Sequence, residues 1–405
     1  MRYRKFEMNF ISNNTIIPDN NKISIPNTQR WIERIGNSYL RCGATSVQGY
    51  RPHNEDMHDI RLSLHATKFT PPISYAAIFD GHCGSAASEF MHKELPVRLG
   101  QLKDPMNHQK LYECIMSCDD DFLHPDNPKR NQGTTCCFIL LQPIVSSDLN
   151  TSNSSSSSYC SSSSSNSFNF SFPSHLSCSS FRLTIANIGD SRVLLLDPKG
   201  KLVFQTLDHK PDILVERQRI ENAGGTVISR RVDHKLSLSR AIGDANFKNQ
   251  FQLKPDEQKV CAVPDLIELP VWNGYIILLF CDGLVERLTN EEVSRFVQQH
   301  LQSLNSNKEI DPGFICSQLV DAALTFGSKD NISIIMICIC EGSNYNERNE
   351  YIKEMKPICE FRNQKKHVKF DNNTDINSTN TSNLTSSTFL KPILKKSLSK
   401  IINKK

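Results

Sequence analysis

Short apolar runs joined by turn-type segments, with amphipathic stretches falling in pairs, predict an α+β fold built on antiparallel sheets. Three observations carry this. Eight runs have strand length, five longer stretches have helical spacing, and consecutive strand candidates are not regularly separated by a helix, as a doubly wound parallel sheet requires.

Taken in order, residues 1–37 are Asn-rich and aperiodic and read as a flexible arm, although Trp31 and Ile32 have the character to pack onto a domain. Strands are expected at 40–47 and 74–79, then a helix pair at 85–99 and 107–123, then a strand at 134–141. Ser146 to Ser180 is a serine tract that buries too little apolar surface to offset its ordering entropy, and it reads as a disordered insertion at a hairpin tip, where loop length costs little. Strands follow at 182–187, 192–196 and 202–206, and a helix at 212–223 is closed by Gly224 and Gly225, which supply a left-handed residue. A strand at 276–281 precedes a second helix pair, 290–303 and 312–325. The first of these opens on Thr289 with Glu292 three residues on, a capping box. The last strand is 332–340. Beyond Gly342 the chain is polar and then basic. The organisation expected is thus an arm (1–37), one domain (38–341, with 146–180 inserted) and a largely disordered basic tail (342–405).

The chain has 405 residues, 38% hydrophobic and 22% charged, enough for a substantial core. Its net charge of +4 belongs to the tail: from Tyr351 onward there are 12 Lys+Arg against 4 Asp+Glu, or +8, leaving −4 for the rest. The core therefore carries no basic signal for nucleic acid, and none is expected as a partner. Fourteen cysteines form no Cys-x-x-Cys pair, and several lie inside apolar runs, where a thiol packs as a small hydrophobe. The economical expectation is a reduced intracellular protein, cytoplasmic or nuclear, and monomeric. The N-terminus shows no apolar signal segment and no glycine at position 2, and the longest apolar runs are too short to span a bilayer.

Chemistry gathers at the ends of the apolar runs. Tyr75 to Phe79 ends at Asp80, followed by Gly81 and His82. Leu183 to Ile188 leads to Asp190, Tyr275 to Cys281 to Asp282, and Asp330 stands just before Ile332 to Ile339. A buried strand tolerates no charge in its middle but holds one rigidly at its end. Carboxylates gathered this way repel one another unless a cation sits between them, and oxygen donors favour hard ions such as Mg²⁺ or Mn²⁺. The Gly81 carbonyl can join Asp80 as a ligand, and His82 is placed to pass a proton. Arg51, with Glu55 and Asp56, fits a phosphate clamp beside carboxylates that hold metal-coordinated water. Each segment alone also reads as an ordinary charged turn. Arg240 and Asp244 have the spacing of a structural ion pair.

In this order the segments carry more weight. Arg51-x-x-x-Glu55-Asp56, Phe79-Asp80-Gly81-His82, Gly133-Thr134-Thr135, Asn187 to Arg192, Asp208-His209-Lys210-Pro211, Glu216 to Ile220 with Gly224-Gly225, Ser239 to Asp244, Asp282-Gly283 and Gly327 to Asn331 resemble the metal-dependent serine/threonine phosphatases of the type 2C (PPM) family, over about Cys42 to Cys340. The resemblance implies a four-layer α/β/β/α sandwich, two central antiparallel sheets flanked by helix pairs. It implies hydrolysis of phosphoserine and phosphothreonine in phosphoproteins by a bridging water activated by a dinuclear Mn²⁺ or Mg²⁺ centre, with no phosphoenzyme intermediate. By position, Asp80 bridges the two ions, the Gly81 carbonyl joins one, and Asp282 and Asp330 complete the other. Glu55 and Asp56 hold coordinated water, Arg51 grips the phosphate, and His82 is the general acid. Relatives bind a third ion through the counterpart of Asp190 and an aspartate four residues after Asp282; here that residue is Glu286, so a third, weak site rests on Asp190 and Glu286.

Cys83 stands where the family has glycine or alanine, which either exposes the centre to oxidation or places a neutral residue facing away. The segment from Asp208 to about Pro264 corresponds to a variable flap whose Arg230, Arg231, His234 and Lys235 suit acidic phosphosites. In the tail, Lys365 to Phe370 resembles a docking motif for type-1 phosphatases, and Leu390 to Ile402 has the spacing of a basic amphipathic helix for a protein partner or an anionic membrane surface. A catalytically silent relative serving as a binding module, or a small-molecule phosphatase on the same fold, are the alternatives. The retained aspartates argue against the first and the flap-like segment against the second.

Overall fold

The computed structural model describes residues 25–64, 72–144, 180–304, 309–340 and 349–353. In chain order, strands β1 (Arg30–Gly36), β2 (Leu40–Val47), β3 (Met57–Arg61), β4 (Ser74–Phe79) and the two-residue β5 (Gly81–His82) lead to helices α1 (Ala86–Gln101) and α2 (His108–Phe122). Then come β6 (Gly133–Thr134), β7 (Cys136–Ile144), β8 (Ser180–Ile188), β9 (Arg192–Leu196), β10 (Leu202–Gln205), α3 (Leu214–Asn222), β11 (Val227–Ile228), β12 (Arg231–Val232) and β13 (Ile242–Gly243). Strands β14 (Asp265–Trp272) and β15 (Ile276–Phe280), helices α4 (Asp282–Val285), α5 (Asn290–Ser303) and α6 (Pro312–Thr325), and strands β16 (Ile332–Ile339) and β17 (Glu350–Ile352) complete the order.

Seven strands form one sheet, β10-β9-β15-β16-β2-β1-β17, and five form the other, β14-β8-β7-β4-β3; every pairing within both is antiparallel. The period-2 geometry of a strand sends alternate residues to opposite faces. In β4, Ala76 and Ile78 face the other sheet, meeting Ile277, Leu279, Ile335 and Ile337, while Tyr75, Ala77 and Phe79 face α1 and α2. The adjacent Cys136 and Cys137 divide between the same two cores. Both faces are therefore buried, and strands such as β16 read as near-continuous apolar runs rather than alternating ones. α1 and α2 cover the five-stranded sheet, and α6, with α5 packed beside it, covers the seven-stranded sheet. The result is the four-layer sandwich expected.

Local signals act as anticipated. Thr289 accepts from the Glu292 amide at 3.2 Å and Glu292 accepts in return from the Thr289 amide at 2.8 Å. Gly224 ends α3 at φ +74°. Ser180, the last residue of the Ser-rich insertion, pairs with Ile144 as the end of a hairpin; residues 146–179 and the tail motifs lie outside the described residues.

Two boundaries differ from the reading above. The end of the expected flexible arm is β1, a strand inside the seven-stranded sheet, and the expected disordered tail contributes β17, which pairs with it. The physical reason is visible in the inward-facing side chains of β1. Ile32 is buried, but its inward neighbours Arg30 and Arg34 are arginines held by Asp321 and Asp311 of the α6 region, so no apolar alternation marks the strand. β3 and β14 were likewise not expected. Both are sheet edges, β3 mixed in charge and β14 interrupted by Pro270, a residue that edges tolerate.

Candidate metal centre

Strand ends from both sheets meet at one edge of the sandwich. β4 ends at Phe79 opposite the start of β3, and β8 ends at Ile188 opposite Cys136. In the other sheet β15 ends at Phe280, paired with Arg192 at the start of β9, and β16 starts at Ile332 opposite Val47. Three crossovers between the large sheets lie on this edge, residues 48–56, 189–191 and 206–264, and all carry charged residues of the site. Antiparallel connectivity thus delivers Asp80, Asp190, Asp282, Asp330 and the Arg51–Asp56 loop to one place.

Oxygen atoms of Asp80, Asp190 and Asp282 lie within 4.8 Å of one another, and Asp80 belongs to a second group of the same spacing with Asp56 and the Cys281 thiol. Burial drives the Asp80 carboxyl well above the usual carboxylate range, and Asp56, Asp282, Asp190 and Asp330 push it the same way. Asp282 is pushed up to about 8, by burial first and then by Asp190 and Asp330. Asp56 rises to about 6, again chiefly through burial. Its Oδ2 accepts from Ser333 Oγ at 2.6 Å, while its buried Oδ1 has no hydrogen-bond partner. Crowded carboxylates with an orphaned oxygen at their base fit a hard divalent cation.

Packing at this edge explains several small residues. A Cβ on Gly283 would stand 1.9 Å from the Asn331 carbonyl oxygen, so the turn after Asp282 and the turn after Asp330 are pressed together. Asn331 staples the neighbouring loop: its amide donates to the Gln48 and His53 carbonyls at 2.8 and 3.0 Å, and its Oδ1 accepts from the Glu55 amide at 3.0 Å. Thr135 accepts from the Asp80 amide at 3.0 Å and shares a 2.7 Å hydrogen bond with Ser191, tying Asp80 to the Asp190 turn.

Arg51 is half-exposed at the mouth and its guanidinium donates to Asp330 at 2.6 Å; the fields of Asp282 and Asp80 also reach it. Glu55 contributes its carbonyl to Ser88 Oγ at 2.6 Å, and its charge reaches His82. His82 Nε2 lies 2.7 Å from Asp244 Oδ2. Burial would depress the His82 pKa, but Asp244 outweighs it and the net shift is upward. The expected Arg240–Asp244 pair is not formed. Arg240 binds Glu216 at 2.6 Å and Asp265 at 3.0 Å, while Asp244, buried at φ +58°, belongs to His82. Asp244 is the residue beside His82 that the four-residue spacing misassigns, and the Ser239 to Asp244 segment is the sequence signal that marks it.

Glu286 is not brought to Asp190: it joins neither carboxylate group, and its Oε2 accepts from the Lys329 amide at 2.8 Å and from Ser328 Oγ at 3.1 Å. Cys83 is exposed beside His82 with φ +60°. In the flap, Arg230 donates to Asp212 at 2.8 Å and Arg231 to the Lys235 carbonyl at 2.7 Å, so two of the basic residues offered to acidic phosphosites already hold acceptors of this chain. A cleft of about 430 Å³ is lined by Asp208, Lys210, Asp212 and Arg230 of the flap and by Arg192 and Asn290.

A four-layer sandwich with carboxylates from both sheets gathered at one edge is what the resemblance to metal-dependent phosphatases implies. A family model described as protein phosphatase 2C matches residues 40–332. Protein phosphatase 1B of Mus musculus is 28% identical over 325 residues, spanning 80% of this chain and 76% of the relative. Protein phosphatase 1A of Bos taurus is 30% identical over 304 residues, spanning 74% and 70%. The crystal structure of a phosphatase from a pathogenic strain of Toxoplasma gondii superposes with a TM-score of 0.63 at 27% identity, covering 80% of this chain and 99% of that one. The chain belongs to the protein phosphatase 2C family and is a metal-dependent serine/threonine protein phosphatase. Among the described residues no helix is long and apolar enough to cross a membrane.

Proposed function

We propose that Asp80, the Gly81 carbonyl, Asp282 and Asp330 hold two Mn²⁺ or Mg²⁺ ions, and that the chain there hydrolyses phosphoserine and phosphothreonine in phosphoproteins directly, without a phosphoenzyme. The observation that carries this reading is Asp80 itself, whose carboxylate lies within 4.8 Å of Asp282 in one group and of Asp56 in another; Asp330 stands in neither group, but its charge acts on both Asp80 and Asp282. Two such ions would offset the charge of the phosphate dianion and make water a competent nucleophile near neutral pH. Arg51, exposed at the mouth and tethered at one side to Asp330, meets the phosphate oxygens with its outward N–H groups. His82, kept protonated by Asp244, gives its proton to the departing serine or threonine oxygen. Asp56 and Glu55 stand behind as acceptors that orient water.

Phosphopeptide hydrolysis by the purified protein in Mn²⁺, in Mg²⁺ and in EDTA tests it, beside an Asp282→Asn variant. Turnover is expected with either metal, none in EDTA, and a loss of at least ~100-fold in the variant, the scale on which a key charge-stabilising group acts. Undiminished turnover in EDTA, or in folded Asp282→Asn, sinks the reading.

A further inference from the structure

The loop carrying Asp190 and the loop carrying Lys210 are zipped together. The Gly189 amide donates to His209 Nδ1 at 3.1 Å, and the His209 amide donates to the Gly189 carbonyl at 2.9 Å. Arg192 clamps the start of the second loop through a two-point pair with Asp208, at 2.7 and 2.9 Å. The Lys210 ammonium is thereby delivered onto Asp190 Oδ2. The Asp190 carboxylate is buried and the Lys210 side chain is only 24% exposed, so the pair lies inside the cleft wall rather than in solvent. The same ammonium faces Asp282 and Asp208. Across the centre Glu286 is turned away, its carboxylate spent on the Lys329 amide and Ser328.

The residue pair that would hold a third divalent ion therefore does not fit one. We propose that the Lys210 ammonium is a tethered cation that stands at Asp190 in place of a third metal, so that the chain takes up two exchangeable divalent ions and no more. The inference rests on the two-ion reading of Asp80 and its neighbours. Its physical basis is preorganisation: the loop zipper has already met the ordering cost of the lysine, and the desolvated ammonium is held in a site that a hydrated ion must strip it from. A tethered cation also neutralises Asp190 at any metal concentration, which a weakly bound ion cannot.

Counting Mn²⁺ bound to the full chain by equilibrium dialysis, with the free ion read by electron paramagnetic resonance up to millimolar concentration, tests this. The parent is expected to bind two ions, Asp190→Asn still two, and Lys210→Met three, because the freed Asp190 carboxylate reopens beside Asp282. Lys210→Gln repeats the last arm should the methionine variant fail to fold, and Lys210→Arg is expected to stay at two. Three ions in the parent, falling to two in Asp190→Asn, overturn the inference, as do two ions in folded Lys210→Met and Lys210→Gln. A parent that binds fewer than two, with Asp282→Asn no different, strikes the two-ion reading and this inference with it.

Discussion

His82 is half-buried against a buried carboxylate, and that single 2.7 Å contact decides what the imidazole can do. A histidine at its ordinary pKa is mostly neutral at pH 7 and poor as an acid. Asp244 reverses the effect of burial and holds the proton on. Replacing Asp244 by Asn removes the charge, so the His82 pKa falls and the acid form is lost at lower pH. Phosphopeptide turnover is expected to drop ~10²-fold or more at pH 8, and the alkaline limb of the pH–rate profile to move to lower pH. A uniform drop with an unmoved limb would show that Asp244 merely supports the fold. Gly133 belongs to the same unit, since a Cβ there would stand 2.3 Å from Asp244 Oδ2 and 2.4 Å from His82 Nε2. Gly133→Ala is accordingly expected to shift the profile as Asp244→Asn does, in a protein that still folds but loses about 1–3 kcal/mol to the clash. None of this was readable from the four-residue step between Arg240 and Asp244. That step pairs side chains on a helix, whereas this segment is a short strand ending in a left-handed turn.

At the level of elements, legibility followed burial. Central strands β2, β4, β7, β15 and β16, buried on both faces, stand where their runs put them, and the capping box and the glycine stop mark α5 and α3. The elements that escaped notice are edge strands or strands whose inward residues are polar. β1 is the clearest: Arg30 donates to Asp321 at 2.6 Å and to Ser317 Oγ at 2.8 Å, with the two charged side chains only 1% and 7% exposed. A buried ion pair adds little net stability over an apolar replacement, but removing one partner strands the other. Arg30→Ala is therefore expected to cost about 3–5 kcal/mol, lowering the melting temperature by roughly 10 °C. Arg30→Met combined with Asp321→Leu should recover much of that loss. If Arg30→Ala melts with the parent, β1 is not integral to the sheet and the expectation of a loose arm was right after all. The carboxylate centre was legible for the complementary reason. Its aspartates end apolar runs, and the register that brings them together follows from antiparallel pairing, whereas Lys210 and Asn331 act through loops whose closure no local pattern announces.

For the whole molecule the concentration of negative charge at one edge couples metal to stability. In the metal-free chain Asp282, whose pKa is pushed up to about 8, and Asp56, pushed to about 6, bind protons more tightly folded than unfolded. Between the ordinary aspartate value near 4 and those raised values the folded state holds the extra protons, so stability falls as pH rises through that window. Below it both states are protonated and the effect vanishes. A divalent ion takes the place of those protons, and its stabilisation should grow as they leave. Melting curves in EDTA are thus expected to shift down from pH 5.5 to pH 8, while curves in saturating Mn²⁺ move far less. The gap at pH 8 should reach several degrees, because a ligand at a hundred times its Kd adds about 2.7 kcal/mol per site. Asp282→Asn removes one of the titrating groups and should flatten the EDTA series as well as shrink the metal effect. Equal slopes with and without Mn²⁺ would mean that the ions bind away from these carboxylates, and would separate the acidic edge from the metal dependence of the enzyme.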